Sequence, residues 1–581
     1  MDIIDDLRKI VIDSINQLVK EHKKGELLDF ESIVIEIPKG SIRGDYSTNA
    51  AMIIAKDFSS SPKDIGEELK NILMRSKLID SVSLEGPGFL NIILTQNIWT
   101  KLLSNILLIT NKYGKLDLGK KRKVNVEFVS ANPTGPLHIG HVRGAIFGDA
   151  LSRLLEYTGF IVTKEYYVND GGAQIDVLGR TLYHRYLELQ GDIADLPDEA
   201  YPGDYLVPVA TALHEKYGDS LITMGVEERH ALVCEFGILE MMQLIKNDLK
   251  SLDILMDNYF SEKMMIESGQ IEKAIRVLEK KNLIYRGVLE APKGKLKEDW
   301  KSREQILFKS TQFGDDMDRP IKKSDGSWTY FAPDLAYHGD KLNRKYDLIV
   351  DVLGADHSGY VNRIEAVVKA ISSYPVDFKV KLIQLVRLLK NKKPLKMSKR
   401  SGDYIMIDDL LKDVSSDVIR FVMLSRKNDV PLDFDIDLIL DKSKDNPVFY
   451  VNYAHARIHS ILSKASQSGL WSEAINKLEM VTTGSFNSQE IMILIKLSEW
   501  PNIIRQATRY QEPHRISYYL YELSSLFHSL YQSGEKDDPY RFIIVENKVL
   551  SLQRLCLAKS IQIVIKNGLQ VLGIVPLKEM Y

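Results

Sequence analysis

Cysteine is almost missing from this chain: 581 residues carry 2, Cys234 and Cys556. That excludes a disulfide framework and a multi-cysteine zinc site, and it suits a reducing cytosol. An excess of charge of one sign is missing too. Lys and Arg number 77 against 79 Asp and Glu, a formal net charge of −2. A nucleic-acid partner then has to be held by local basic patches, not by a global field. No uninterrupted apolar run is long enough to span a bilayer, so no membrane role is expected. The first residues, MDIIDDLRKIVIDSI, are acidic and amphipathic, unlike a secretory leader. Internal repeats and low-complexity tracts are lacking as well. What is there is 44% hydrophobic and 27% charged, ordinary for a globular protein. At this length about three or four domains are expected.

The chain is organised around Val124 to Asp176. Val124 to Ser130 reads as a buried strand, rich in apolar and β-branched residues. Asn132, Pro133, Gly135 and Pro136 break it. His138-Ile139-Gly140-His141 then opens a helix that runs towards Glu156 and stops at Thr158-Gly159. Strand, turn and helix N-terminus together make a phosphate site. Two histidines there can donate to phosphate oxygens and carry positive charge as pyrophosphate leaves. Gly140 leaves room for a flat base. Taken alone, the tetrapeptide is equally a pair of surface polar residues, or two metal ligands three apart.

Far downstream lies Leu395-Lys396-Met397-Ser398-Lys399-Arg400-Ser401-Gly402. Two lysines on such a loop can swing over a triphosphate and neutralise it in the transition state. A solvated basic loop is the plain alternative. The two elements, in this order, resemble the histidine signature and the mobile lysine loop of class I aminoacyl-tRNA synthetases.

Residues 1–111 read as a small α/β domain. Ile3, Leu7, Ile10, Val11 and Leu18 fall at helical spacing, with Ser14 the one polar member. Ser32 to Ile37 is expected as a strand, Asp64 to Met74 as a helix, and Val82 to Leu94 as a hairpin. Gly44 to Asn49 reads as a loop, and Asn111 to Lys123 as a polar, basic linker whose Lys120 to Lys123 could touch phosphate. Residues 112–403 read as a Rossmann-like α/β domain with a parallel sheet and a helical insertion over about 178–245. Val162 to Val168 ends in Asn169-Asp170-Gly171-Gly172-Ala173-Gln174, and Asp347 to Leu353 in Gly354-Ala355-Asp356-His357. Strand ends gather at the ligand crevice, and Gly-x-Asp there suits a ribose. Val380 to Leu388 is the expected last core strand. Residues 404–444 connect to an all-helical bundle, 445–581. On its first helix Val448, Val451, Ala454 and Ile458 form a core stripe. Tyr450, Tyr453 and Arg457 form a second, suited to stacking bases or to packing within the bundle. Arg505, Arg509 and Arg515 with Tyr518, Tyr519 and Tyr521 carry the same two readings.

The substrate pocket also leaves a trace. Glu127 on the first strand, with Tyr330 and Asp334 at a strand-to-helix turn, brings two carboxylates and a phenol near the phosphates. That is repulsive unless the substrate is a cation, and a guanidinium offers five donors in a planar fork. Each charge-assisted bond contributes roughly 1.5–3 kcal/mol, so lysine loses by about two to four orders of magnitude. Alternatively, Glu127 pairs with a nearby basic residue and Asp334 caps a helix.

Here the resemblance narrows to arginyl-tRNA synthetases. Beside the two class I elements it is carried by Tyr166 to Gln174, Tyr201-Pro202-Gly203-Asp204-Tyr205, the Tyr330/Asp334 segment, Gly354 to His357, and Asn446-Pro447-Val448-Phe449-Tyr450-Val451-Asn452-Tyr453-Ala454-His455-Ala456-Arg457. The resemblance implies a ligase that joins L-arginine to its tRNA through an arginyl-adenylate, with tRNA needed for the first step. By that resemblance Ser130 and Asn132 hold the α-groups, Glu127, Tyr330 and Asp334 take the guanidinium, and His357 faces the α-amino end. Pro136, His138, Gly140, His141, Gly354, Asp356, Met397 and Lys399 cradle ATP, with Lys396 joining the catalytic set. Mg²⁺ is expected on the phosphates, with no protein metal site. Tyr450, Tyr453 and Arg457 fall in a bundle that grips the anticodon, and the N-terminal domain touches the tRNA corner. A cytoplasmic monomer is expected. Arg400 departs from the usual serine that ends the lysine signature, which bears on the loop's closed geometry. Another adenylate-forming enzyme of this fold, or a non-catalytic tRNA-binding relative, stays open.

Overall fold

The computed structural model describes residues 1–22, 30–38, 44–191, 199–289, 304–323, 325–390, 392–394, 405–441, 446–472, 485–536, 541–544 and 546–580. In the N-terminal part, helix Ile3–Glu21 starts on Asp2, whose carboxylate accepts from Asp5 N–H, and buries Ile3, Leu7, Val11 and Leu18. Ser14 is buried on the same stripe because its hydroxyl donates back to Ile10 O at 2.8 Å. A four-stranded antiparallel sheet follows, in the order Ile35–Glu36, Tyr46–Thr48, Phe89–Leu94, Ile79–Glu85. The stretch expected as a loop therefore contains a strand, and the Ser32 to Ile37 strand shrinks to two residues. Tyr46, Ser47 and Thr48 are all buried, so no polar–apolar alternation announced the strand. The expected helix begins two residues earlier, at Pro62, capped by Ser61.

The central sheet has five parallel strands among the described residues, ordered Asp377–Ile383, Leu348–Gly354, Lys123–Glu127, Ile161–Val168, Asn258–Ser261. Chain order runs outwards from Lys123–Glu127 to one edge and then from Leu348–Gly354 to the other. The switch lies between those two strands, and the crevice opens beyond their carboxyl ends. Helix Ile139–Tyr157 crosses back over the sheet and buries Val142, Ile146, Ala150 and Leu154. The expected last strand, Val380 to Leu388, is two strands with a kink. Asp377–Ile383 belongs to the central sheet, while Val386–Lys390 pairs with Leu432–Asp435 in another. The break is held by buried Arg143, whose guanidinium donates to Gln384 O, Val430 O and Lys427 O at 2.7–3.0 Å.

The insertion has its own core: Leu178, Leu182, Tyr186, Leu206, Leu213 and Phe236, among others, from helices Ala173–Glu188, Leu206–Tyr217 and Val226–Ser251. The C-terminal part is helical, with Pro447–Gln467, Ser488–Tyr510, His514–Lys536 and Lys548–Val571 as its long helices. Asn446 caps the first of them, accepting from Val448 and Phe449 N–H, and Pro447 sits at N1, where its missing N–H costs nothing. Asn111 to Lys123 is not a free linker. Buried Tyr113 donates its hydroxyl to Leu497 O at 2.9 Å, and Trp500 Nε1 donates to Tyr113 O at 3.1 Å. One aromatic in a polar run docks that segment on the bundle.

Candidate active site

The turn after the central strand presents the histidines as a capping pair. His138 is the N-cap of helix Ile139–Tyr157, and its Nδ1 accepts from Gly140 N–H at 3.1 Å. His141 Nδ1 accepts from His138 N–H at 3.3 Å, and the two rings stack 3.9 Å apart. A neutral ring whose Nδ1 accepts carries its proton on Nε2 and donates there. Beside the positive end of a helix, this suits phosphate oxygens better than a cation, which needs a ring lone pair. Ile139 N–H reaches Ile405 O at 3.4 Å, and His138 forms a bridge with Met406. In sequence those two residues come shortly after the lysine loop. Lys396, Met397, Lys399 and Arg400 themselves lie outside the described residues.

Between strand and helix the backbone is strained. Val129 and Ser130 have φ of 71° and 42°, a left-handed pair that is costly for a β-branched residue. The bend lets Ser130 Oγ donate to Glu127 Oε1 at 2.9 Å and accept from Tyr167 N–H at 3.1 Å. Asn132 donates its side-chain amide to Gln174. Tyr205, from the insertion, donates to Thr134 O at 2.7 Å. Pro136 is half-buried in the same turn.

Strand register sets Glu127 opposite Asp351 on one side and Glu165 on the other. Helix Phe331–Asn343 and the residue after it answer this row of three acids. Fully buried Lys341 meets Glu127 Oε2 at 2.5 Å and Asp351 Oδ1 at 2.7 Å. Arg344 pairs with Glu165, which also accepts from Tyr337 OH at 2.8 Å. Burial raises both Asp351 and Glu165. Lys341 and His338 outweigh it and hold Asp351 well below the usual carboxylate range, and Arg344 with Lys341 lowers Glu165. Glu127 is thus the partner of a basic residue. The expectation of two unopposed carboxylates does not hold for it, because Lys341 is folded over from a helix two hundred residues away.

Two further acids, Asp334 and Glu262, have no ion pair among the described residues. Asp334 lies in the first turn of helix Phe331–Asn343 but does not cap it; Tyr330 occupies the cap position. Among the described residues Asp334 has no ion pair. Burial pushes it up to about 6, with Glu127 and Asp351 adding to the rise and His338 and Arg363 opposing it. Glu262 stands at the carboxyl end of edge strand Asn258–Ser261. Burial, then the charges of Asp334 and Asp170, push it up to about 7. Tyr167 hydrogen-bonds Glu262, and its phenol is raised by burial and by the charges of Glu262 and Asp334. Around Asp334 and Glu262 negative charge is in surplus, an arrangement that a cation can balance. Sequence reasoning passed over Glu262 and Tyr167; Glu262 directly follows one parallel strand and Tyr167 is the penultimate residue of another, near the carboxyl ends where ligands gather.

Tyr330 is 89% exposed. Gly354, Asp356 and His357 are exposed at the end of the neighbouring strand, and His357 Nε2 lies 3.6 Å from Asp356 Oδ2. Along the sheet's carboxyl edge, then, the structure gathers Glu127, Ser130, Asn132, Asp334 and the ribose-type turn around the histidine turn. Tyr450, Tyr453 and Arg457 form a separate cluster on the bundle. Arg457 lies over the Tyr453 and Tyr531 rings at 4.3 and 4.1 Å, and Tyr450 meets His528 at 4.4 Å. All three are half-buried. Arg505 is paired with Asp2 and Asp5, and Tyr519 is buried, so neither stands open on the surface.

A doubly wound sheet with a histidine turn at its crevice, followed by a helical bundle, is the frame of a class I aminoacyl-tRNA synthetase. Residues 102–199 and 293–458 match the catalytic domain of class I tRNA synthetases (R). Residues 5–94 match the arginyl-tRNA synthetase N-terminal domain, and 451–580 the DALR anticodon binding domain. The chain is 48% identical over 582 residues to the arginine–tRNA ligase of Ruegeria pomeroyi and 48% identical over 581 residues to that of Roseobacter denitrificans, with 100% of both chains covered each time. Its fold is similar to that of Thermus thermophilus arginyl-tRNA synthetase, with a TM-score of 0.73 at 19% identity, covering 99% of this chain and 100% of that one. The chain belongs to the arginyl-tRNA synthetase family, the arginine–tRNA ligases.

Proposed function

We propose that the chain attaches L-arginine to its tRNA in two steps. The arginine carboxylate attacks the ATP α-phosphate in line, giving arginyl-adenylate and pyrophosphate. The terminal adenosine hydroxyl of the tRNA then attacks the mixed anhydride and releases AMP. No side-chain nucleophile is needed; positioning and charge neutralisation carry the rate. The pocket with surplus negative charge around Asp334 and Glu262, on the same crevice as the histidine turn, is the observation that carries the reading.

In this scheme Asp334, Glu262 and the Tyr167 and Tyr330 phenols receive the guanidinium. Glu127 lines the pocket and orients Ser130, which holds the α-groups with Asn132, and His357 faces the α-amino end. His138, His141, Lys396 and Lys399 neutralise the phosphates; Pro136, Gly140, Gly354, Asp356 and Met397 complete the ATP cradle. Mg²⁺ would ride on the triphosphate oxygens and supply charge neutralisation there. Residues 1–111 would meet the tRNA corner, 404–444 would join the lysine loop to the bundle, and 445–581 would take the anticodon through Tyr450, Tyr453 and Arg457. The working form is a cytoplasmic monomer.

Pyrophosphate exchange into ATP, run with each amino acid with and without tRNA, tests this directly. Exchange is expected with arginine alone and only with tRNA present; exchange driven by another amino acid overturns the assignment. Lys399→Ala should lower kcat by about 10²–10³ with little change in arginine binding. An unchanged kcat would remove Lys399 from the catalytic set.

A further inference from the structure

Away from the crevice, three metal-ligating side chains stand at coordination spacing. His230 and Cys234 are four apart on helix Val226–Ser251, so they share one face. Asp176 lies in the first turn of helix Ala173–Glu188. The three ligand atoms all lie within 4.8 Å of one another. Asp176 Oδ1 is 3.3 Å from His230 Nε2, which is 3.6 Å from Cys234 Sγ. Zinc bonds of about 2.0–2.2 Å to N and O and about 2.3 Å to S, at tetrahedral angles, set neighbouring donors about 3.4–3.6 Å apart. The two separations to His230 match that spacing, and Asp176 and Cys234 lie within 4.8 Å of each other. Gly179, one turn along from Asp176, makes the approach possible: a Cβ there would overlap the Cys234 sulfur and crowd the His230 ring.

We propose that Asp176, His230 and Cys234 bind a divalent transition-metal ion, with zinc the best fit to one oxygen, one nitrogen and one sulfur donor. Water takes the fourth position on the exposed Asp176 side. The site is independent of the Mg²⁺ expected on ATP, since thiolate and imidazole select a softer ion. It also departs from the sequence expectation of no protein-held metal, which rested on the lack of a multi-cysteine set. The ion joins the insertion's long helix to the first turn of the helix whose Gln174 holds Asn132, so its role is to staple the insertion beside the crevice. Metal binds the thiolate, so each ion displaces one thiol proton, and affinity falls as pH falls.

The competing description is a plain hydrogen-bond set, with the thiol donating to Ile175 O at 3.5 Å and Asp176 bonded to His230. A cobalt titration separates the two. The full-length chain is stripped with chelator, kept reduced, and titrated with Co²⁺. The proposal expects a thiolate-to-cobalt charge-transfer band that saturates at one ion per chain and disappears on adding Zn²⁺. Zn²⁺ should also raise the thermal midpoint. Cys234→Ser should abolish the band, while Cys556→Ser should leave it intact. Groups that only orient a ligand already contribute about 10–100-fold to affinity, so His230→Gln and Asp176→Asn should weaken binding by at least about tenfold. Absence of the band from the unaltered chain, or its survival in Cys234→Ser, overturns the site. The first result needs no variant and so does not depend on a variant folding.

Discussion

Two groups of carboxylates that feel each other's charge are treated in opposite ways. The inner row, Asp351, Glu127 and Glu165, is neutralised by Lys341 and Arg344 and has every acid hydrogen-bonded. The outer pair, Asp334 and Glu262, has no ion pair among the described residues and is pushed up to about 6 and about 7, with only the more distant His338 and Arg363 opposing the rise at Asp334. The inner row holds strand to helix; the outer pair is strained against its own charge. The inner acids are matched by cations within the chain, and the outer pair keeps a net repulsion that a bound cation can relieve.

The largest effect should come from unbalancing the inner row. Lys341→Ala strands two buried carboxylates and should lower the unfolding free energy by about 3–5 kcal/mol in chemical denaturation. A loss below about 1 kcal/mol would mean the row is not a structural element. Next, Asp334→Asn removes charge at constant shape. It should raise the arginine KM about 10–150-fold with the ATP KM nearly unchanged and the unfolding midpoint no lower. Equal changes in both KM values would move Asp334 out of the substrate pocket and erase the contrast. The smallest effect is a pH dependence. Folding raises the Glu262 pKa, so its stabilising contribution is complete below the unfolded value near 4.5 and is lost as pH rises through about 7. Glu262→Gln should therefore become more stable than the unaltered chain above pH 7, by on the order of 1 kcal/mol after solvent screening. Arginine should bind the unaltered chain more tightly as pH rises from 6 to 8, by calorimetry, and the variant should show a flatter profile. A variant that keeps the full slope would place the titrating group elsewhere.

Much of this was legible in the residues. The alternation of breaker, histidine pair and helix pattern located the turn between the central strand and helix Ile139–Tyr157, and the helical stripes of the C-terminal part described the bundle. Lys341 was not legible. It sits in an amphipathic helix as an ordinary solvated lysine would, and only strand register shows that three acids lie beneath it. Tyr113 was hidden in a polar stretch for the same reason, since a single aromatic does not announce what it packs against. Glu262 follows a four-residue strand, too short for periodicity to mark its end. Arg143, which holds the kink between two strands read as one, contacts carbonyls more than two hundred residues downstream.

The amino-acid order alone determined the elements whose causes are local: the proline and glycine breaks, the helix start at the histidines, the core stripes and the family membership they carry. The tertiary structure decided which acids are matched and which are not. That difference depends on distances between residues far apart in the chain, and a carboxylate's charge balance is set by what folds over it, not by its neighbours in sequence.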